Sequence, residues 1–262
     1  MNHTTASPDT VRTLAHADVL LLIADLLGHP AADLTWPQAA TLLDAAGWSD
    51  PGHACVIAWR RLVDALRDTP AEDRCVEHHR LFEGATACPP NQTAYVRRDK
   101  GAILGDLCGF YRAFSLTSQS GDGEKPDHVV TQLQFLALLL VMGADAGPQR
   151  SDEQRQIAID AAQAFADEHL SPWLSDFGAH LDRTTALPLY RAMAEVIAQT
   201  WSTLADAHGW TVPAPDGDGQ PVVDIDPPSD ECADLNAPIV PLHIHGTTSP
   251  APNAPRPAPS EP

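Results

Sequence analysis

The sequence predicts an all-α protein: a globular helical bundle followed by a Pro-rich, largely irregular C-terminal tail. Three observations predict this. Apolar residues recur at helical spacing from the N-terminus to about residue 208, and no alternating strand pattern interrupts them. The segment 127–142 is apolar almost all round, with Val129, Val130, Leu133, Phe135, Leu136, Leu138, Leu139 and Leu140. Such a helix belongs in the centre of a bundle. Beyond residue 208 lie 13 of the 24 prolines, one aromatic (Trp210) and one basic residue (Arg256). A segment of that composition buries too little apolar surface to offset its ordering entropy. The expected organisation is a helical domain over 1–208 and an acidic tail over 209–262, mostly disordered or docked in extended form. Within the tail, Pro238–His245 is apolar enough to dock.

The elements follow in order. Ser7-Pro8-Asp9 sets a capping serine before a proline at the first helical position. That helix runs to Leu27, where Gly28 and Pro30 end it. Helices over 36–46, 53–68 and 71–83 come next, the second with Val56, Trp59, Val63 and Leu66 on one face. Cys88-Pro-Pro90 forces a loop. The helix over 100–115 carries the stripe Ile103, Leu107, Phe110, Tyr111 and Phe114. Gly101, Gly105 and Gly109 form a second stripe. Each glycine costs roughly 1 kcal/mol in a helix interior, so the expected gain is close approach of another helix. After a loop with Gly121 and Gly123, Pro126 is expected to open the central helix. Helices over 152–169, about 172–182 and 186–208 complete the domain, the last with Tyr190, Met193, Ile197, Trp201 and Leu204 facing inward. No repeat of fixed period is present.

The net charge is −19, with only two lysines, Lys100 and Lys125. A surface of this kind repels nucleic acid and anionic membrane, which need clustered basic residues. It draws basic partners, and it also keeps a protein soluble. The five cysteines are odd in number and never spaced C-x-x-C, against both a disulfide framework and a cysteine zinc site. Scattered thiols suit a reducing cytosol. The N-terminus lacks the basic start and apolar stretch of a secretory signal. The longest apolar runs, Val19–Ile23 and Phe135–Met142, fall far short of the roughly 20 residues that span a bilayer. A cytoplasmic protein with no stable membrane insertion is expected.

No phosphate loop, dinucleotide fingerprint, H-E-x-x-H or G-x-S-x-G motif occurs. Asp216-Gly-Asp-Gly219 lacks the remaining ligands of a calcium loop. His243-x-His245 has no clear third metal ligand. His78 and His79 point about 100° apart on a helix and are poor joint ligands. No catalytic residue, metal site or cofactor is expected.

Three segments stand out together: Glu77-His-His-Arg-Leu-Phe82, Gly105-Asp-Leu-Cys-Gly-Phe-Tyr-Arg-Ala-Phe114, and Glu124-Lys-Pro-Asp-His128 running into Gln132–Leu140. Phe165, His169-Leu-Ser-Pro-Trp173 and Phe177 follow. In order and spacing they resemble the TorD/DmsD/NarJ family of molybdoenzyme maturation chaperones, over residues 10–208. The resemblance implies a TorD-like bundle that binds the apo catalytic subunit of a molybdopterin oxidoreductase, often through an N-terminal twin-arginine signal. The chaperone would hold this client while the molybdenum cofactor is inserted. It implies client-binding roles for His78, Leu81, Phe82, Asp127 and His128, to which Glu124 is added for its charge, and structural roles for Gly105, Asp106, Gly109, Phe110, Tyr111 and Pro126. His78 departs from the family, where an aromatic residue is usual. A monomer and a dimer are both compatible with the sequence. The competing readings are a helical metal-dependent enzyme and a generic helical adaptor.

The residues themselves leave choices open. Leu81 and Phe82 lie 100° apart on a helix, so either both are core or one faces a groove. Asp127 beside a helix N-terminus is either a cap or a fixed carboxylate for a client guanidinium. His128 either contacts the client or anchors the preceding loop. Glu124 either adds charge to the groove or is solvated.

Overall fold

The computed structural model describes residues 7–83, 86–116, 125–144, 151–213 and 220–221. Among them are nine α-helices: α1 Pro8–Gly28, α2 Trp36–Ala45, α3 Ala54–Asp68, α4 Ala71–Phe82, α5 Lys100–Ala113, α6 Val129–Ala144, α7 Asp152–Phe165, α8 Leu174–Thr184 and α9 Pro188–His208. The only extended pairing among the described residues is one isolated antiparallel bridge, Asn91 with His128. The all-α expectation holds.

Local chemistry sets the helix ends. The Ser7 side chain accepts from the Thr10 amide, with Pro8 in the first turn. Ser151 and Gln154 cap α7 reciprocally. Gly209 ends α9 in the left-handed region at φ 73°, which a side chain would disfavour.

The apolar α6 is the axis of the bundle, packed along α1 on one side and α7 on the other. A second group forms where α9 packs on α3 and α8. Trp59, Phe165, Trp173 and Phe177 are fully buried between these layers. The Trp59 indole donates to the Thr200 hydroxyl at 3.0 Å, which satisfies the one polar atom of that ring. The inner stripe of α9 is buried as the periodicity requires.

The first and last helices are joined directly. His16 Nε2 donates to the Ala46 carbonyl, so His16 Nδ1 accepts from His208 Nε2 at 2.9 Å. Burial lowers the pKa of both rings, that of His208 to about 4, which favours this neutral pair. Trp48 stacks on His16, and Trp210 stacks on both His208 and Trp201. Trp210 is thus buried core, although it lies beyond residue 208. The remaining tail expectations, Pro238–His245 included, fall outside the described residues.

Two expectations need correction. The glycine stripe of α5 meets no helix. A Cβ at Gly105 or Gly109 would find nothing within 4 Å, and at Gly101 only the Asp99 carboxylate. Periodicity shows that small residues share a face and cannot show what lies opposite it. Gly105→Ala is therefore expected to stabilise the protein by about 1 kcal/mol, checked by thermal or urea unfolding. Secondly, Pro126 does not open α6. Pro126 and Asp127 form a turn, and the first residue of α6 is Val129. The Pro126 carbonyl is held at 2.6 Å by the buried Tyr111 hydroxyl, and the Asp127 carbonyl accepts from the Gln92 amide. Both interactions keep the turn out of the helix.

The segment predicted as one helix over 152–169 changes pitch after Phe165. Residues Ala166–Leu170 form a π-helical turn, which brings His169 and Leu170 inward together. His169 is 1 % exposed and lies against the edges of Phe110 and Phe165. Burial pushes its pKa down to about 4. The fold thus favours neutral His169, and its contribution is complete above the unfolded pKa of 6.5. It is lost as pH falls towards 4, where the folded form also takes up the proton. About 3 kcal/mol of stability is expected to disappear across that window. Urea melts between pH 7 and 4 should show the loss, and His169→Leu should flatten it.

Candidate functional site

The C-terminal turn of α4 is fixed from below. Glu77 is buried and accepts both Nε and Nη2 of Arg80 at 2.7 Å, the Thr185 hydroxyl at 2.8 Å and the Ala186 amide at 2.8 Å. The Arg80 guanidinium is the main reason its carboxyl is held at about 2. This network ties α4 to the turn that precedes α9.

The adjacent His78 is buried and donates from Nε2 to the Leu27 carbonyl, 2.9 Å away at the end of α1. The imidazole satisfies a carbonyl that the end of α1 leaves without an intrahelical partner. Leu81 is wholly buried core. Phe82 is half-buried, with its ring edge-on to His78 and Tyr190 and tilted against Phe177. The 100° offset between Leu81 and Phe82 thus resolves into one core residue and one at the surface of a cleft.

The opposite wall comes from the start of α6. Asp127 is 1 % exposed, and its carboxylate is turned into the protein. It accepts from Asn91 Nδ2 at 3.0 Å, the Thr93 hydroxyl at 2.7 Å and the Thr93 amide at 3.2 Å. It is neither a cap of α6 nor open to a partner. The segment it binds carries Pro90, whose carbonyl accepts from the Val129 amide at 2.8 Å. His128 occupies the cap position instead, its Nδ1 accepting from the Val130 amide at 3.2 Å. Behind this junction, Trp173 Nε1 donates to Gln132 Oε1, and Gln132 Nε2 donates to Gln92 Oε1. Glu124 lies outside the described residues.

These pieces enclose a cleft of about 90 Å³, lined by Leu27, Gly28, His78, Phe82, Glu83, Pro90, His128, Val129 and Phe177. The two sequence segments, separated by some 45 residues of chain, meet in it. Of the expected site residues, His78, Phe82 and His128 line the cleft, while Leu81 and Asp127 support it from inside. Glu83 was missed by sequence reasoning, although a carboxylate at the C-terminal end of a helix, where the dipole disfavours it, was a visible signal. The structural motif lies apart from the cleft. Phe110 packs edge-on against Phe135 and Phe165, Asp106 is ion-paired with Arg98, and Tyr111 holds the Pro126 turn.

No group of three or more metal-binding side chains exists among the described residues. None of the described cysteines is in a disulfide. Cys55, Cys88 and Cys108 are buried, and burial pushes the Cys88 thiol up to about 12, far from reactivity. No helix among the described residues is long and apolar enough to cross a membrane.

Residues 53–179, which include both walls of the cleft, match the family model described as nitrate reductase delta subunit. The chain is 34 % identical over 134 residues to a chlorate reductase assembly chaperone protein of Ideonella dechloratans, covering 48 % of this chain and 68 % of the relative. It is 35 % identical over 141 residues to a selenate reductase assembly chaperone protein of Thauera selenatis, with the same coverage of each. The chain belongs to the TorD/NarJ-type family of molybdoenzyme maturation chaperones. Members of this chaperone family assist assembly and are not enzymes. Apart from Leu27 and Gly28, the residues that line the chaperone's cleft lie inside the matched region, and the whole tail lies beyond it.

Proposed function

We propose that the chaperone uses the cleft between α4 and α6 to bind an N-terminal segment of the apo catalytic subunit of a molybdopterin oxidoreductase. It does so in the cytoplasm, before cofactor insertion and before the client is exported or joins a membrane complex. The observation that carries this reading is the meeting of the 78–83 and 90–129 segments around one small opening of mixed polar and apolar character. Phe82, Val129, Phe177 and Pro90 offer a surface for an apolar client side chain, while His78 and His128 add ring edges and hydrogen-bonding nitrogens. Leu81 and Asp127 serve the site by fixing Phe82 and His128 in place. Glu124 keeps its part in the proposal through its position three residues before Asp127 alone. The acidity of the chain, −19, speeds encounter with a basic segment and disfavours nucleic acid.

Affinity purification of the full chain from cells that make its molybdoenzyme should recover the catalytic subunit in its cofactor-free form. Phe82→Ala removes the ring at the cleft surface and is expected to lower client affinity roughly tenfold with little change in melting temperature. Unchanged recovery and affinity for both Phe82→Ala and His128→Ala would remove the cleft from the mechanism.

A further inference from the structure

We infer that the groove between α3, α8 and α9 is the docking site of the chain's own C-terminal segment Pro238–His245. The groove holds about 630 Å³, far more than the client cleft. Its floor is made of small side chains: Ala65 of α3, Gly178 and Ala179 of α8, and Ala192, Ala194 and Ala198 of α9. Part of this set serves helix packing, since a Cβ at Gly178 would stand 3.7 Å from the Ala194 carbonyl. Ala179 and Ala198 are exposed, so the floor continues past the helix contact to the surface. Such a floor leaves room for large aliphatic side chains from another segment. At the rim, Arg61 Nη1 pairs with Glu195 Oε1 at 2.6 Å. Asp182 and Arg191 complete it, and neither has an ion-pair partner among the described residues. The rim charges therefore cancel, on a chain of net charge −19, and an acidic segment meets little repulsion there.

The segment Pro-Ile-Val-Pro-Leu-His-Ile-His has the complementary character. In an extended chain, alternate side chains share a side. Pro238, Val240, Leu242 and Ile244 then form one wholly apolar side, and both histidines fall on the other. Pro238 and Pro241 fix their own backbone angles, which lowers the entropy lost on docking. Five acidic residues and no basic one lie between 222 and 237, directly before the segment. They bring negative charge to Arg191.

The tether is long enough. α9 ends at His208, and the Thr211 amide is bound to Asp167 at 2.7 Å, which fixes where the tail begins. The groove residues of α9, Pro188 to Ala198, lie about 15–30 Å back along the helix axis. Residues 211–237 can span up to about 90 Å. Tethering supplies an effective concentration at which modest apolar contacts hold the segment. The docking is independent of where a client binds.

The test reads the alkylation rate of one thiol on the groove floor in the full chain. Ala198→Cys places it there, and the exposed Cys75 is the internal reference. Labelling by N-ethylmaleimide is followed peptide by peptide in a mass spectrometer, and a melting curve checks each variant. Ala179→Cys replaces Ala198→Cys if the latter melts early. The native tail should slow labelling at the groove roughly tenfold relative to the same protein carrying Leu242→Asp and Ile244→Asp, the ratio of an effective concentration of order 1 mM to a dissociation constant of order 0.1 mM. Cys75 should label at one rate throughout. Arg191→Glu should remove part of the protection. Equal groove labelling with and without Leu242→Asp and Ile244→Asp overturns the docking. Protection of Ala144→Cys, at the opening beside Trp210, in place of Ala198→Cys overturns the choice of groove. Protection that grows with protein concentration assigns the groove to the tail of a second copy and overturns docking within one chain.

Discussion

Asp127→Ala is expected to destabilise the chaperone by about 4 kcal/mol, measured as a shift in the urea midpoint at neutral pH. The substitution removes a sealed carboxylate that accepts three hydrogen bonds and strands the Thr93 amide, the Thr93 hydroxyl and the Asn91 amide group. Each stranded donor costs about 1–3 kcal/mol where water cannot reach it. Asp127→Asn retains one acceptor oxygen of the right shape and should cost about half as much. The same damage should reach the cleft, because the 90–93 segment and His128 are held by this junction. Loss of client binding by Asp127→Ala would therefore accompany loss of stability. If the variant melted like the wild-type protein and still failed to bind, Asp127 would be a contact residue and the inward geometry would be wrong.

Trp173→Ala is expected to cost a similar amount, about 4 kcal/mol, for a different reason. The ring is wholly buried, stacked on Tyr95 with centroids 5.6 Å apart and tilted against Phe177. Its removal opens a cavity where α6, α8 and the 91–95 segment meet. It also releases Gln132, which passes the indole hydrogen bond on to Gln92. Trp173→Phe keeps most of the packing and loses the N–H donor, so a cost of about 1–2 kcal/mol is expected. Equal losses for the two variants in calorimetry would assign the residue's contribution to the hydrogen bond rather than to volume.

The helices were legible because their signals are local. Ser7-Pro8 marks a start, Gly28 and Pro30 mark a stop, and the all-round apolarity of α6 can be satisfied only at the centre of a bundle. The cleft was legible in part. The order of the motifs brought His78, Phe82 and His128 to one place before any contact was known. Side-chain direction was not legible. Asp127 reads as a helix cap or a client contact until Asn91 and Thr93, some 35 residues earlier, are seen to claim its carboxylate. The glycines of α5 read as an interface because spacing is blind to what a face meets. The π-helical turn at Ala166–Leu170 is equally silent, since one extra residue per turn leaves the apolar pattern on either side intact. The pairing of His16 with His208 spans 192 positions, and nothing near either residue announces the other.

That last pairing bears on how the chain comes to exist in the cell. His208 is the final residue of α9, and it bonds to His16, which carries the Trp48 stack, and itself carries Trp210. During synthesis, α1 therefore waits through nearly the whole length of the body for the ring that completes its surroundings. A nascent chain halted anywhere before α9 has emerged from the ribosome carries an unfinished seam along its first helix. The chaperone thus has a vulnerable interval of its own, which ends when its last helix is released.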